Sequence, residues 1–296
     1  MTLAEHNNPL HAAFCADCAC QVRTPILENV RIARDTYRLR FGCPTIARRI
    51  IPGQFVMMRL SGCDDPLLGR PLALYDTVVG PSGEPTAIDI AYLAAGKFTR
   101  RLVNCQPGEM LDVWGPLGNG FPTQPAEHLI IVAGGIGQTP FLALGAEHLG
   151  RKRYGDPPRD APRPRKISFC YGARSADYFA AVDDFRRLGI EVHLSTDDGT
   201  AGYHGFVTDV LCKLLEQPPS GSRQIVCCGP ERMMEAVAEI AHRTSVPCQV
   251  SLETPMACGI GICFTCVAKV RQSDGSWDYK RTCVEGPIFD AKQIVW

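Results

Sequence analysis

The amino-acid sequence predicts a small antiparallel β-barrel, then a parallel α/β sheet, then a short cysteine-bearing C-terminal domain. Three observations carry this. Short apolar segments broken by Pro-Gly, Ser-Gly and Gly-Pro dipeptides run from Pro25 to Val113, the spacing of a small barrel. Apolar strands alternating with helical stretches follow from His128 to His242, which implies a parallel sheet. Cysteines cluster from Cys258 to Cys283. The 296 residues suit about two domains of ordinary size plus this smaller one.

Residues 1–22, with His11, Cys15, Cys18 and Cys20, read as a flexible leader. Those four side chains could form a zinc site, but the weak patterning around them favours a thiol-bearing tail. Residues 23–124 form the predicted barrel, with strands such as Tyr37–Phe41, Gln54–Leu60 and Ala87–Leu93. Residues 125–246 form the α/β domain. Its strands are predicted at His128–Ala133, Lys166–Tyr171, Ile190–Ser195 and Gln224–Cys228. Helices are predicted at Thr139–Leu149, Tyr178–Leu188, Val207–Leu215 and Glu231–His242. The Pro/Arg-rich stretch between Tyr154 and Arg165 reads as an exposed inserted loop. Residues 247–296 form the cysteine-rich domain.

Composition excludes several classes. Hydrophobic residues make up 45% and charged residues 21%, as in an ordinary globular chain. Lys plus Arg and Asp plus Glu each number 31, so no broad basic surface is available for nucleic acid. No apolar run reaches the roughly 18 residues that a membrane helix needs. The first residues show no basic and then apolar secretory pattern, so the expected compartment is the cytoplasm. The 15 cysteines, an odd number, then point to metal or redox chemistry rather than disulfides.

Cys258, Cys263 and Cys266 have C-x4-C-x2-C spacing, and Cys283 follows after sixteen residues. This is the plant-type spacing for a [2Fe–2S] cluster held by four thiolates. Gly259 and Gly261 allow the tight backbone that a loop around two irons needs. A structural zinc is the alternative, although such sites usually carry two C-x2-C pairs. In Gly134-Gly135-Ile136-Gly137-Gln138-Thr139-Pro140, glycines stand between a strand and a helix, where a pyrophosphate can approach backbone. Pro140 takes the place of a third glycine and suits the first helical turn. An ordinary Gly-rich turn remains the alternative. Cys228-Gly229-Pro230 makes a second strand-to-helix turn at the sheet's carboxyl edge. Arg70-Pro71-Leu72-Ala73 offers a guanidinium beside a rigid proline, and Gly96–Thr99 offers donors for a phosphate. Each of these turns is also compatible with a purely structural role.

These motifs in this order resemble the ferredoxin-reductase superfamily, a flavin β-barrel followed by an α/β nucleotide domain. Within it they resemble most the electron-transfer subunits of class B dihydroorotate dehydrogenase. The run Ser251-Leu252-Glu253-Thr254-Pro255-Met256-Ala257 looks like that family's lead into its cluster. The resemblance covers about residues 25–292 and implies FAD, a [2Fe–2S] cluster and NAD as cofactors. By resemblance, Arg70, Pro71, Leu72 and Ala73 contact FAD, as do Ala91, Tyr92 and Leu93, while Phe98 and Thr99 match a phosphate-contacting Gly-Thr pair. Two positions depart from the pattern: Ala73 replaces a hydroxyl residue and Phe98 a glycine. Gly134, Gly135, Gly137, Thr139 and Pro140, with Cys228, Gly229 and Pro230, match the NAD site. Cys258, Cys263, Cys266 and Cys283 match the metal ligands.

The implied path runs from dihydroorotate through FMN in a catalytic partner subunit, then the cluster and FAD, to NAD⁺, within pyrimidine biosynthesis. The implied assembly is a heterotetramer. No catalytic acid–base pair stands out in this chain, since His193, His204 and His242 are isolated, so substrate oxidation is expected on the partner. An NAD(P)H–ferredoxin oxidoreductase or a hydrogenase diaphorase subunit of the same superfamily is the alternative.

Overall fold

A computed structural model describes residues 16–218 and 221–296. The leader positions His11 and Cys15 lie outside the described residues. Six strands close the barrel: β1 (Cys20–Ala33), β2 (Thr36–Gly42), β3 (Phe55–Leu60), β4 (Arg70–Val79), β5 (Pro85–Leu93) and β6 (Met110–Leu117), in the order β1-β2-β5-β4-β3-β6. Alternation in β2 and β5 sends Leu39, Phe41, Ile88 and Ile90 into the core. Between strands, Arg40 binds the buried Asp89 carboxylate through two bonds of 2.7 and 2.8 Å. Helices α1 (Pro44–Ala47) and α2 (Lys97–Leu102) cover its ends. β1 begins at Cys20, inside the stretch read as a leader, because Cys20, Gln21 and Val22 pair with Gly115, Trp114 and Val113.

The parallel sheet contains β7 (His128–Gly134), β8 (Lys166–Ala173), β9 (Glu191–Thr196), β10 (Tyr203–His204), β11 (Arg223–Cys228) and β12 (Cys248–Ser251). Around it lie α3 (Phe141–His148), α4 (Val182–Leu188), α5 (Val207–Glu216) and α6 (Glu231–Arg243). A hairpin of β13 (Val267–Arg271) and β14 (Trp277–Arg281) follows, then β15 (Ile288–Asp290). The sheet order is β10-β9-β8-β7-β11-β12-β15, with β15 antiparallel to β12. Two strands of the stretch 247–296, β12 and β15, complete this sheet. The apolar residues of β12 and β15 explain this: Val250 and Phe289 share one core with Ile225 and Val237.

The Pro/Arg-rich insert is a loop, but it is not simply exposed. Tyr154 is buried, and its hydroxyl donates to Asp76 of the barrel at 2.7 Å. Lys152 reaches the same carboxylate at 2.7 Å. Arg159 grips the buried Glu147 at 2.8 and 2.7 Å and donates to the Phe121 carbonyl at 2.6 Å. Tyr75 adds a further tie between barrel and sheet domain, donating to Asp184 at 2.7 Å.

His128 is buried at the start of β7, its Nε2 2.9 Å from Ser168 Oγ. Burial lowers its pKa to about 4, while the unfolded chain titrates near 6.5. Between those values the unfolded chain binds a proton that the folded one refuses, so stability is full above 6.5 and is lost as pH falls toward 4. The loss approaches about 3 kcal/mol at its largest. Burial shifts His148 the same way. Denaturant midpoints measured from pH 7 to 4 are expected to fall, and less steeply in His128→Gln.

Candidate functional site

Consecutive strands reverse direction of addition between β7 and β11, which lie side by side. Such a switch point opens a crevice at the carboxyl ends of the strands, where open α/β sheets bind ligands. Both predicted turns converge there. After β7, residues Gly135–Gln138 form a 3₁₀ turn, and α3 begins only at Phe141, with Pro140 as its N-cap residue rather than within the first turn. Thr139 spends its hydroxyl on the Ile136 carbonyl at 2.8 Å. A Cβ at Gly137 would overlap the Cys228 carbonyl oxygen and lie 2.6 Å from its carbon, so the two turns touch through backbone. Above Gly135 the space is open, and the buried Gln138 amide has no hydrogen-bond partner among the described residues. This open, glycine-lined crevice fits a dinucleotide pyrophosphate. Burial pushes the Cys228 thiol up to about 12, with Glu253 acting the same way and a Ser251 hydrogen bond opposing it. The thiol is therefore neutral at the end of β11, with Gly229 and Pro230 leading into α6.

The loop that carries Cys258, Cys263 and Cys266, and Cys283 after it, lie against the barrel. Cys263 feels the Cys258 thiol as a neighbour, and Cys266 the Cys283 thiol, which sets the four out as two pairs. Two pairs suit a cluster with two irons, each taking two thiolates. The Thr265 hydroxyl donates to Cys263 Sγ at 3.2 Å and, as the leading cause, lowers that thiol to about 6. The neighbouring Cys283 thiol lowers Cys266 and is itself raised in return. Ile260 N–H points at Cys258 Sγ at 3.4 Å. Gly259 and Gly261 have φ of 73° and 84°, in the left-handed region, as the predicted tight loop requires. Phe264 sits there too at φ 55°, with the Arg281 guanidinium 5.1 Å from its ring centroid. Loop and hairpin pack Met256, Cys266, Cys283 and Val284 against Phe55, Met57 and Leu117 of the barrel.

Arg70 opens β4, and its Nη1 donates only to the Leu68 and Gly69 carbonyls, each at 3.0 Å. Among the described residues it has no carboxylate partner, which leaves the guanidinium available for a phosphate or flavin edge. Pro71, Leu72 and Ala73 follow, half-buried, on β4. The second group differs from expectation. Tyr92 turns into the barrel core, stacks on Tyr37 at 5.6 Å and donates to Asn29 at 3.0 Å. Ala91 is buried at the domain junction, and Leu93 is half-buried. Phe98 is also a core residue, which leaves only its backbone for a phosphate. The Thr99 side chain caps α2 through Gly96 N–H at 3.0 Å.

Two barrel residues escaped the sequence reading. Trp114 Nε1 donates to the Cys258 carbonyl at 2.9 Å, and Met57 packs against Gly259. The alternation of β3 and β6 marks both as strand residues but cannot show what lies against them.

Residues 253–295 match the iron–sulfur cluster binding domain of dihydroorotate dehydrogenase B, 131–239 the oxidoreductase NAD-binding domain, and 23–121 the oxidoreductase FAD-binding domain. The chain is 32% identical over 272 residues to the dihydroorotate dehydrogenase B (NAD(+)) electron transfer subunit of Desulforamulus reducens, covering 92% of this chain and 97% of that one. It is 36% identical over 277 residues to the subunit of the same name from Bacillus caldolyticus, covering 92% and 98%. Among solved structures, a chain of the NADH-dependent reduced ferredoxin-NADP oxidoreductase aligns with a TM-score of 0.75 at 28% identity, over 92% of this chain and 90% of that one. Phthalate dioxygenase reductase shares the fold, with a TM-score of 0.60 at 18% identity, over 89% and 94%. The chain therefore has FAD, NAD and iron–sulfur binding domains, and it belongs to the family of dihydroorotate dehydrogenase B (NAD(+)) electron transfer subunits.

Proposed function

We propose that the chain is the cytoplasmic NAD⁺-reducing arm of a two-subunit dihydroorotate dehydrogenase, acting in pyrimidine biosynthesis. Its partner is an FMN-containing catalytic subunit, and the assembly is a heterotetramer. The observation that carries this reading is the packing of Cys266 and Cys283 against Phe55 and Met57 of β3, the strand paired with that of Arg70. A bound flavin exchanges single electrons with a cluster and a hydride with a nicotinamide. The chain's own residues bind and orient. Gly134, Gly135, Gly137, Thr139 and Pro140 line the pyrophosphate crevice, while Cys228, Gly229 and Pro230 present a small neutral edge to the nicotinamide end. Arg70, with Pro71, Leu72 and Ala73, holds the flavin. Backbone at Ala91, Leu93, Phe98 and Thr99 completes its rim, and Tyr92 supports that rim from the core.

Mixing the FAD- and cluster-loaded chain with the catalytic subunit tests this. Dihydroorotate is expected to reduce NAD⁺ only when both are present, and Cys266→Ser is expected to break that link while sparing NADH–ferricyanide turnover. Orotate formation by this chain alone would overturn the division of labour. A second reading, an NAD(P)H–ferredoxin oxidoreductase subunit, has the 0.75 TM-score alignment in its favour. Ferredoxin replacing the catalytic subunit in the same assay distinguishes the two.

Arg70→Ala is expected to weaken FAD retention. A charge-assisted hydrogen bond contributes about 1.5–3 kcal/mol, so the dissociation constant should rise roughly ten- to hundredfold. Flavin lost on gel filtration by the variant and not by the parent is the measurement.

A further inference from the structure

Pro71 of β4, Met57 of β3 and Trp114 of β6 stand in one row across three neighbouring barrel strands. This row meets both redox segments. Trp114 Nε1 donates to the carbonyl of Cys258, and a Cβ at Gly69, directly before Arg70, would overlap Cη2 of the same indole and lie 3.1 Å from Cζ2. The fully buried Met57 lies under the loop, its sulfur 3.0 Å from where a Cβ of Gly259 would stand. Among the described residues, the Trp114 bond is the one hydrogen bond that ties the loop 258–266 to the barrel.

We propose that Trp114 is a positioning residue that fixes the separation between the flavin segment and the cluster loop. Its ring bears on the Gly69–Arg70 backbone while its N–H holds the first cysteine of the ligand set. The proposal rests on the reading of Arg70 and Cys258 given above. A flavin held at Arg70 would take the two electrons of a hydride from NADH and pass them singly to a cluster held by the cysteines. No bond to Trp114 forms or breaks. A site held about 1 Å too loosely keeps its parts and loses function, so a loop released by Trp114 would accept electrons more slowly without losing its metal.

The test uses the full chain loaded with FAD and iron–sulfur cluster, mixed with NADH and freeze-quenched for electron paramagnetic resonance of the reduced cluster. Trp114→Phe keeps a ring on Gly69 but removes the donor, and Gly69→Ala pushes the ring while keeping the donor. Trp114→Phe is expected to retain parental FAD, iron and NADH–ferricyanide turnover, and Gly69→Ala is compared only in protein shown to be loaded with both. Cluster reduction is expected to slow severalfold in each, because each changes where the indole holds the loop. A purely structural role would leave the rate in intact, loaded protein unchanged. Parental cluster-reduction rates in both variants would overturn the proposal, as would an equal slowing of ferricyanide turnover, which assigns the tryptophan to the flavin alone. If Trp114→Phe does not fold, Gly69→Ala decides. Absence of FAD or iron from the parent chain would overturn the underlying reading and would be seen before any variant is made.

Discussion

Cys283→Ser is expected to abolish the iron–sulfur cluster, while Cys105→Ser leaves it intact. Cys283 is buried beside Cys266, so its loss would take one of two thiolates from one iron and leave that position to a weaker hydroxyl donor. Cys105 is also buried, but it lies in the barrel core near Glu109, and burial pushes its thiol up to about 11. It is a packing residue. Iron and sulfide analysis with visible spectra of both variants gives the comparison. Equal cluster loss in the two, or zinc without iron in the parent chain, would contradict the ligand assignment.

Gly137→Ala is expected to eliminate NADH–ferricyanide turnover and lower the melting temperature. The added methyl would meet Cys228 oxygen, Cys228 carbon and, at 2.8 Å, Gly229 Cα, all of them backbone that cannot rotate away. Overpacking of this kind costs about 1–3 kcal/mol or more, and relief requires the two turns of the crevice to separate. Gly135→Ala points into open space but at φ 55°, so it should cost less stability than Gly137→Ala. Parental turnover in Gly137→Ala would show that the nucleotide does not use this crevice.

What could be read in the sequence was what spacing alone encodes. The ligand loop spans nine residues from Cys258 to Cys266, and the glycine turn seven from Gly134 to Pro140, so each carries its geometry locally. The alternation of strands and helices likewise gave the sheet and its turns. Contacts between remote segments were not legible. Trp114 and Cys258 are 144 residues apart, and Asn119 reaches the Glu285 carbonyl across 166. The same limit hid the direction of Tyr92 and Phe98, whose place in a motif says nothing about which barrel face they occupy. It also hid the anchoring of the Pro/Arg-rich insert. Its composition reads as solvated loop, yet Tyr154 and Arg159 find carboxylate partners, half-buried Asp76 and buried Glu147, that only the fold supplies.

The strand β15 has a consequence for how the protein is made. It covers the outer edge of β12, pairing Ile288 with Ser251 and Asp290 with Gln249. Unpaired sheet edges are templates for strand addition by other chains. On the ribosome, the nucleotide sheet is synthesised up to β12 well before β15 exists, and the whole ligand loop and hairpin must emerge in between. The growing chain therefore carries a bare edge throughout the interval in which its cysteines first become available. A chain truncated after Cys283 would retain all four cysteines yet leave that edge permanently open, making self-association rather than metal loss its first defect.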